Sequence, residues 1–352
     1  MTPVSKVSKV SKVSKITNAA EAARAAPRAT AGLVQSTYAA PAWLPGGNLQ
    51  TIYASLLTRP SAPLLRRERW DSPDGDFIDV DLLDGDVSAP MVVLFHGLEG
   101  SSRSHYARAL ARALAARGWR GAFPHFRGCS GELNRLPRAY HSGDAAEIAW
   151  VLARMRRIAG IAPLYSVGVS LGGNALLKCL GEQGAAATAL TDAAAAVSAP
   201  LDLTGAGDAL GRGFNMVYTR MFLSSMKRKT LRKLAQFPGM VDGAAMLAAR
   251  TLRDFDNVVT APLHGYRDTD DYWTRASSRH GLGDVAVPTL VLNARNDPFL
   301  PVCYLPHIRE VSKMVQLDYP DEGGHVGFVS GACPGHIDWL PQRILGFFDQ
   351  QA

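Results

Sequence analysis

The hydrophobic positions of this chain alternate between two rhythms. Short uncharged runs such as Met91–Phe95 (MVVLF), Leu164–Val169 (LYSVGV) and Ala193–Val197 (AAAAV) have the length and continuity of buried parallel strands. Residues 119–123, 289–293 and 314–319 read as further strands. Between them lie stretches with helical spacing. In 106–117 (YARALARALAAR) the arginines share one face and Gly118 stops the helix. Residues 143–157, 172–181 and a closing stretch, 340–350, follow the same pattern. Strand–helix alternation of this kind predicts an α/β fold, a mostly parallel sheet with helices on both faces. Residues 201–285 interrupt it with helical patterns and no apolar strand, which predicts a helical cap inserted over one edge of the sheet.

The first segment fits neither rhythm. Val-Ser-Lys occurs four times in succession across 4–15, and an Ala-rich stretch runs on to about residue 32. A period of three lines up no face of a helix or a strand, so residues 1–35 are expected to be a disordered basic arm and 36–352 one domain carrying the cap.

Composition narrows the class. Of the 352 residues, 47% are hydrophobic and 20% charged, values that exclude wholesale disorder, a collagen-like chain and a coiled coil. No uncharged apolar window is long enough for a transmembrane helix; the nearest, 184–201, is Ala- and Thr-rich and contains Asp192. Lys6, Lys9, Lys12, Lys15, Arg24 and Arg28 against Glu21 place most of the net charge of +7 in the arm, so the body is not expected to bind nucleic acid. A second basic cluster, Lys227, Arg228, Lys229, Arg232 and Lys233, reads as a solvated helix face; attraction to an anionic membrane surface is the alternative. Cys129, Cys179, Cys303 and Cys333 form no CxxC pair, which points to a reducing cytoplasm, with one bridge left open. No long apolar segment follows the first lysines as a secretion signal would, whereas an organellar transit segment stays open. No HExxH or paired-Cys spacing calls for a metal, and no cofactor is expected. The pattern specifies no oligomeric state.

The chemistry is concentrated at Gly168-Val169-Ser170-Leu171-Gly172. It fits G-x-S-x-G between a strand and a helix, the setting in which a strained turn lifts a serine hydroxyl above a sheet. A serine hydroxyl needs a base to take its proton. In that fold the chain order is Ser, then acid, then His, each after a successive strand. His325, in Gly323-Gly324-His325-Val326-Gly327, follows the strand at 314–319 and is the expected base; His336 is second. Asp297, in Asn296-Asp297-Pro298-Phe299, follows the strand at 289–293 and is the expected acid; Asp318, Asp321 and Glu322 lie on the histidine side of the arrangement. His105, His264, His280 and His307 are expected to be structural. An oxyanion hole requires two backbone N–H donors. Leu171 and Leu98, the latter within His96-Gly97-Leu98-Glu99-Gly100, are in the right places to supply them. Arg127 is expected to brace its loop against Asp144 or Glu132, with an orienting role toward a bound carboxylate or phosphate as the alternative. Tyr140 and His141 line the pocket or anchor a loop, and Cys129 is a weak rival nucleophile because it lacks the strand–turn–helix setting.

Together these residues resemble the YheT-like hydrolases of the α/β-hydrolase fold, relatives of animal abhydrolase-domain esterases and phospholipases. The resemblance covers nearly the whole body. It rests on Pro45-Gly46-Gly47-Asn48-Leu49-Gln50-Thr51, Asp74-Gly75-Asp76-Phe77, the His96–Gly100 string, Phe126-Arg127-Gly128-Cys129-Ser130-Gly131 and Tyr140-His141-Ser142-Gly143-Asp144. It continues through the serine motif with Gly173-Asn174, Pro262-Leu263-His264-Gly265-Tyr266, Asn296–Phe299 and Gly324–Phe328. The resemblance implies Ser170 as nucleophile, Asp297 as acid and His325 as base, acting on carboxylic esters. Asn296 stands where relatives often carry an acid, which leaves Asp297 as the acid there. Thioesterase or amidase chemistry with the same three residues, and a non-catalytic ligand-binding scaffold, are the alternatives. The apolar residues Phe214, Met216, Val217, Met221, Phe222 and Leu223 of the cap are expected to form an acyl pocket of limited length, hence short- to medium-chain substrates.

Overall fold

The computed structural model describes residues 32–58 and 60–351. Within them one nine-stranded sheet has the order β1-β9-β8-β7-β6-β4-β5-β3-β2. The strands are β1 (Gly32–Val34), β2 (Arg66–Asp71), β3 (Phe77–Leu83), β4 (Met91–Phe95), β5 (Arg120–Pro124), β6 (Leu164–Val169), β7 (Ala193–Val197), β8 (Thr289–Leu292) and β9 (Val315–Asp318). Neighbours from β1 to β5 pair in parallel, and β3 is antiparallel to both β5 and β2. The apolar runs read from the sequence are the central strands. Residues 1–31, most of the expected arm, lie outside the described residues. Its last part does not fit an arm: Gly32–Val34 pairs with Gln316–Asp318 as an edge strand.

Two hydrophobic layers sandwich the sheet. On one face α2 (His105–Ala116) and the closing α8 (Trp339–Asp349) bury Leu110, Leu114, Ile344 and Phe348. On the other, α3 (Ala145–Ala159) and α4 (Leu171–Gln183) bury Ile148, Leu152, Leu176 and Leu180. The remaining helices are α1 (Gly47–Leu57), between β1 and β2, and three between β7 and β8: α5 (Leu203–Leu210), α6 (Met216–Gln236) and α7 (Thr269–Ala276), with shorter helical turns between them. Among the described residues no helix is long and apolar enough to cross a membrane.

At the β2–β3 edge, Ile78, Val80 and Leu82 of β3 enter the core, while charge pairs join β3 to the strongly charged β2 (RRERWD). Arg67 stands opposite Asp81 and Arg69 opposite Asp79. Each arginine bonds its partner through Nε, at 2.6 Å and 2.8 Å. Beneath this edge Arg127 is fully inside, with its guanidinium on Glu147 (2.5 Å), Asp74 (2.9 Å) and Asp76 (2.9 Å). The bracing role is therefore found, with different partners from those expected. Arg138 takes Asp144 and Arg69 takes Glu132. Three carboxylates around one buried cation make the cation hard to remove, since its loss leaves uncompensated buried charge. Arg127→Met is expected to cost about 3–5 kcal/mol of stability, read as a lowered urea midpoint. An unmoved midpoint would show that the cluster does not hold this edge.

Candidate active site

The site forms where the chain reverses its direction of travel across the sheet. From β4 the chain goes to β5 on one side, then crosses to β6 on the other, so the loops after β4 and β6 leave a crevice between them. The register brings their ends level, with Phe95 opposite Gly168. Ser170 follows at once in a left-handed conformation, φ 53° and ψ −121°, its N–H bonded to Val197 O at 2.8 Å. This is the strained turn that the motif predicts. Gly172 is required by contact, because a Cβ there would lie 2.4 Å from Phe95 O.

His325 and Asp297 come to Ser170 from the loops after β9 and β8. Ser170 Oγ is 2.9 Å from His325 Nε2, and His325 Nδ1 is 2.9 Å and 3.2 Å from the two carboxylate oxygens of Asp297. The Phe299 N–H donates to Asp297 Oδ1 at 2.8 Å, and the Phe299 ring stacks on the imidazole at 3.9 Å. The residues held as alternatives point elsewhere. His336 is half exposed beside Asp338, Asp321 is 93% exposed near Arg295, and Asp318 bonds Arg343. Cys129 sits beside Lys229 Nζ at 3.3 Å, and burial pushes its thiol up to about 11.

The histidine loop is held by residues whose part the sequence did not reveal. Val326 and Phe328 have φ of 56° and 42°, conformations that bulky side chains avoid. Helix α1 braces this loop. Its buried Gln50 accepts from Gly323 N (2.8 Å) and Asn296 Nδ2 (3.1 Å), and its Thr51 hydroxyl accepts from the His325 amide itself (2.8 Å). Asn296 Oδ1 accepts from Gly324 N at 2.9 Å, and Ser198 Oγ from Val326 N at 3.1 Å. On the far side His105, kept neutral by burial with its pKa down to about 4, donates from Nε2 to Val326 O. The Pro45–Thr51 string thus supports the His325 loop. Asn174 has a parallel task. Its amide bonds Ser142 and the Ala276 carbonyl, tying α4 to the loop at 140–144 and to the foot of the cap.

The loop after β4 is equally fixed. Burial holds His96 neutral, with its pKa down to about 3. Its Nδ1–H donates to Gly97 O at 2.7 Å, and Nε2 accepts from Phe126 N at 3.1 Å. Tyrosine hydroxyls take the amides on either side of Leu98: Gly97 N donates to Tyr106 (2.9 Å) and Glu99 N to Tyr140 (2.8 Å). Among the described residues, no protein acceptor takes the amides of Leu98 or Leu171. The loop lies against the serine, since a Cβ on Gly97 would stand 3.1 Å from Ser170 Cβ.

A cavity of about 110 Å³ separates Ser170 from the cap, walled by Leu98, Leu171, Phe222, Met226, Trp273 and Phe299. Of the six cap residues expected here, Phe222 is the one that lines it. Phe214, Val217 and Met221 face outward, Met216 lines a hollow on the outside, and Leu223 packs on Met246 and Phe255 within the cap. Helix α6 turns its 222–226 stripe to the site, a choice between helix faces that apolar content alone does not make. Tyr140 and His141 do line the cavity. Asp256 adds a polar patch. It accepts from Trp273 Nε1 (2.8 Å) and Thr260 Oγ1 (2.6 Å), and burial raises its carboxyl to about 6. The basic cluster of α6 is not a solvated face throughout, because Lys229 reaches Glu99 at 2.8 Å and Lys233 is buried against the carbonyls of Asn134 and Leu136.

Comparison with known proteins agrees with this architecture. A family profile described as alpha/beta hydrolase fold matches residues 90–332. YheT of Escherichia coli (strain K12), assigned as an esterase, is 39% identical over 302 residues, spanning 84% of this chain and 88% of that protein. The mouse phospholipase ABHD3 is 28% identical over 325 residues, spanning 90% of this chain and 79% of its own. Among solved structures, an esterase of Pyrococcus furiosus superposes with a TM-score of 0.54 at 14% identity, covering 91% of this chain and 98% of that one, a likeness of fold. With a profile matched over most of its length and a relative this similar along both chains, the chain is a hydrolase of the α/β-hydrolase fold family, related to YheT.

Proposed function

We propose that this hydrolase cleaves carboxylic esters of short- to medium-chain acyl groups through an acyl-enzyme on Ser170. The observation that carries the reading is the unbroken line from Ser170 Oγ to His325 Nε2 and from Nδ1 to Asp297, each step at 2.9 Å. Ser170 attacks the ester carbonyl as His325 Nε2 takes its proton. Asp297 holds the imidazole in one tautomer and stabilises its charged form. The amides of Leu98 and Leu171 receive the oxyanion, the second with the help of the α4 N-terminus. His325 then gives its proton to the departing alcohol and activates the water that frees the acid. Esters are preferred to thioesters and amides in this reading because the similar proteins carry esterase and phospholipase names. The four unbridged cysteines favour a reducing, cytoplasmic setting.

Ser170→Ala and His325→Ala are each expected to lower kcat by about 10⁴-fold or more with the melting temperature held, and not additively, because the residues work as a unit. Asp297→Asn should lose orders of magnitude; if it stays near wild type, another residue is the acid. Retained turnover in purified Ser170→Ala would end the mechanism.

The α1 brace makes a separate demand. Gln50→Ala frees Gly323 and Asn296, so the imidazole drifts. We expect kcat to fall about tenfold or more on a soluble ester while the protein stays folded at assay temperature. Unchanged kcat would show that the loop holds itself.

Acyl length is read from a nitrophenyl ester series from acetate to palmitate. Each buried methylene should raise kcat/KM about fourfold, from roughly 0.8 kcal/mol, until the cavity fills; beyond that point the value should fall. Phe222→Ala or Met226→Ala should move the maximum to longer chains. A steady rise through palmitate would contradict a cavity of limited length.

A further inference from the structure

Glu99 is the residue next to the proposed oxyanion donor Leu98, and its geometry asks for an explanation that neither fold nor pocket supplies. It is a non-glycine residue at φ 57°. A side chain adopts that conformation only where its surroundings hold it. Here they do so from two directions. On the body side, Tyr140 OH accepts from the Glu99 amide at 2.8 Å and donates to its Oε1 at 2.9 Å. Tyr140 in turn stacks on Phe126, centroids 5.2 Å apart and rings nearly parallel, and the Phe126 amide donates to His96. On the cap side, two residues one turn apart on α6 reach down to the same carboxylate. Ser225 donates to Oε2, and Lys229 Nζ lies 2.8 Å from Oε1. The side chain is 10% exposed, so the ion pair is poorly screened by water.

We propose that Glu99 is a positioning residue that lets the cap set the oxyanion hole: α6, gripping the Glu99 carboxylate, fixes the Leu98 N–H over Ser170. The inference rests on the acyl-enzyme reading and extends it. The same helix presents Phe222 and Met226 to the cavity, on turns that alternate with Ser225 and Lys229. An acyl chain that fills the cavity therefore bears on the element that holds Glu99. Part of its binding then appears in kcat, as the oxyanion donor is drawn into place, rather than in KM alone. A second grip on the opposite flank, Tyr218 OH donating to Asn48 Oδ1 of α1 at 2.9 Å, keeps α6 anchored to the histidine side as well.

The test compares Glu99→Ala, Glu99→Gln, Ser225→Ala and Lys229→Met with wild type on the nitrophenyl ester series, alongside binding of an alkyl boronic acid, which forms a tetrahedral adduct on the serine. Glu99→Ala should lower kcat about 10- to 100-fold with KM within about twofold, and weaken the boronate by the factor lost in kcat/KM. Lys229→Met and Ser225→Ala, which leave Leu98 and its neighbours intact, should each lower kcat about three- to tenfold, and Glu99→Gln should fall between. In all four the rise of kcat with acyl length should flatten. Glu99→Ala with kcat within twofold of wild type, or a loss confined to KM, overturns the proposal. Should Glu99→Ala fail to fold, the cap-side pair decides, and unchanged kcat in both overturns it. A fluorophosphonate probe separates this failure from that of the underlying reading: wild type left unlabelled at Ser170 removes the acyl-enzyme, and the positioning role of Glu99 with it.

Discussion

Everything at this site depends on one row of the parallel sheet. Phe95, Gly168, Ala196, Val291 and Leu317 stand side by side across five strands, and Val169, Val197, Leu292 and Asp318 form the next row. A shift of one residue would exchange the side chains packed against α2 and α8 with those packed against α3 and α4, two layers of different shape. With the ends flush, the loops after β4, β6, β8 and β9 start from one edge. Leu98, Ser170, Asp297 and His325 then need reach only a few residues beyond it. The apolar strands that contribute stability thus also set the distances between groups far apart in sequence, such as Ser170 and His325, which are separated by 155 residues.

The register brings the loops near one another and hydrogen bonds finish the geometry. Neutral histidines do much of this. His96 and His105 are kept uncharged by burial and serve as fixed donor–acceptor struts, one under the loop after β4 and one under the loop of His325. Helix α1 completes the clamp through Gln50 and Thr51. The strained backbone at Ser170, Val326 and Glu99 is tolerated because each strained residue is tied by such bonds. The cap closes the apolar side of the cavity with one stripe of α6 and turns basic residues of the same helix inward to the loops.

What could be read from the sequence follows this division. The central strands, the helices flanking them, and Ser170, Asp297 and His325 were legible because each has a local signature: an uncharged run, a helical period, or a motif in the right order after successive strands. The edge strand β2 was not, because its Arg67 and Arg69 face Asp81 and Asp79 and it has no apolar run. The roles of Gln50 and Thr51 lay in contacts some 270 residues away, which no window detects. Arg127 was recognised as a brace, but its partners depend on which carboxylates the fold brings beside it. In the cap, the six apolar residues at 214–223, five of them on α6, are equivalent in the sequence, and packing selects Phe222.

The central claim is that Ser170 carries the acyl group between two half-reactions. Rapid quench of the enzyme mixed with a slowly deacylating nitrophenyl ester, followed by mass measurement of the whole protein and of its peptides, addresses it directly. The account predicts a burst of nitrophenol matched by one acyl group per chain, located on the peptide that contains Ser170, and absent after prior fluorophosphonate treatment. Turnover with no covalent acyl species, or an acyl group found on Cys129 or elsewhere, would contradict it.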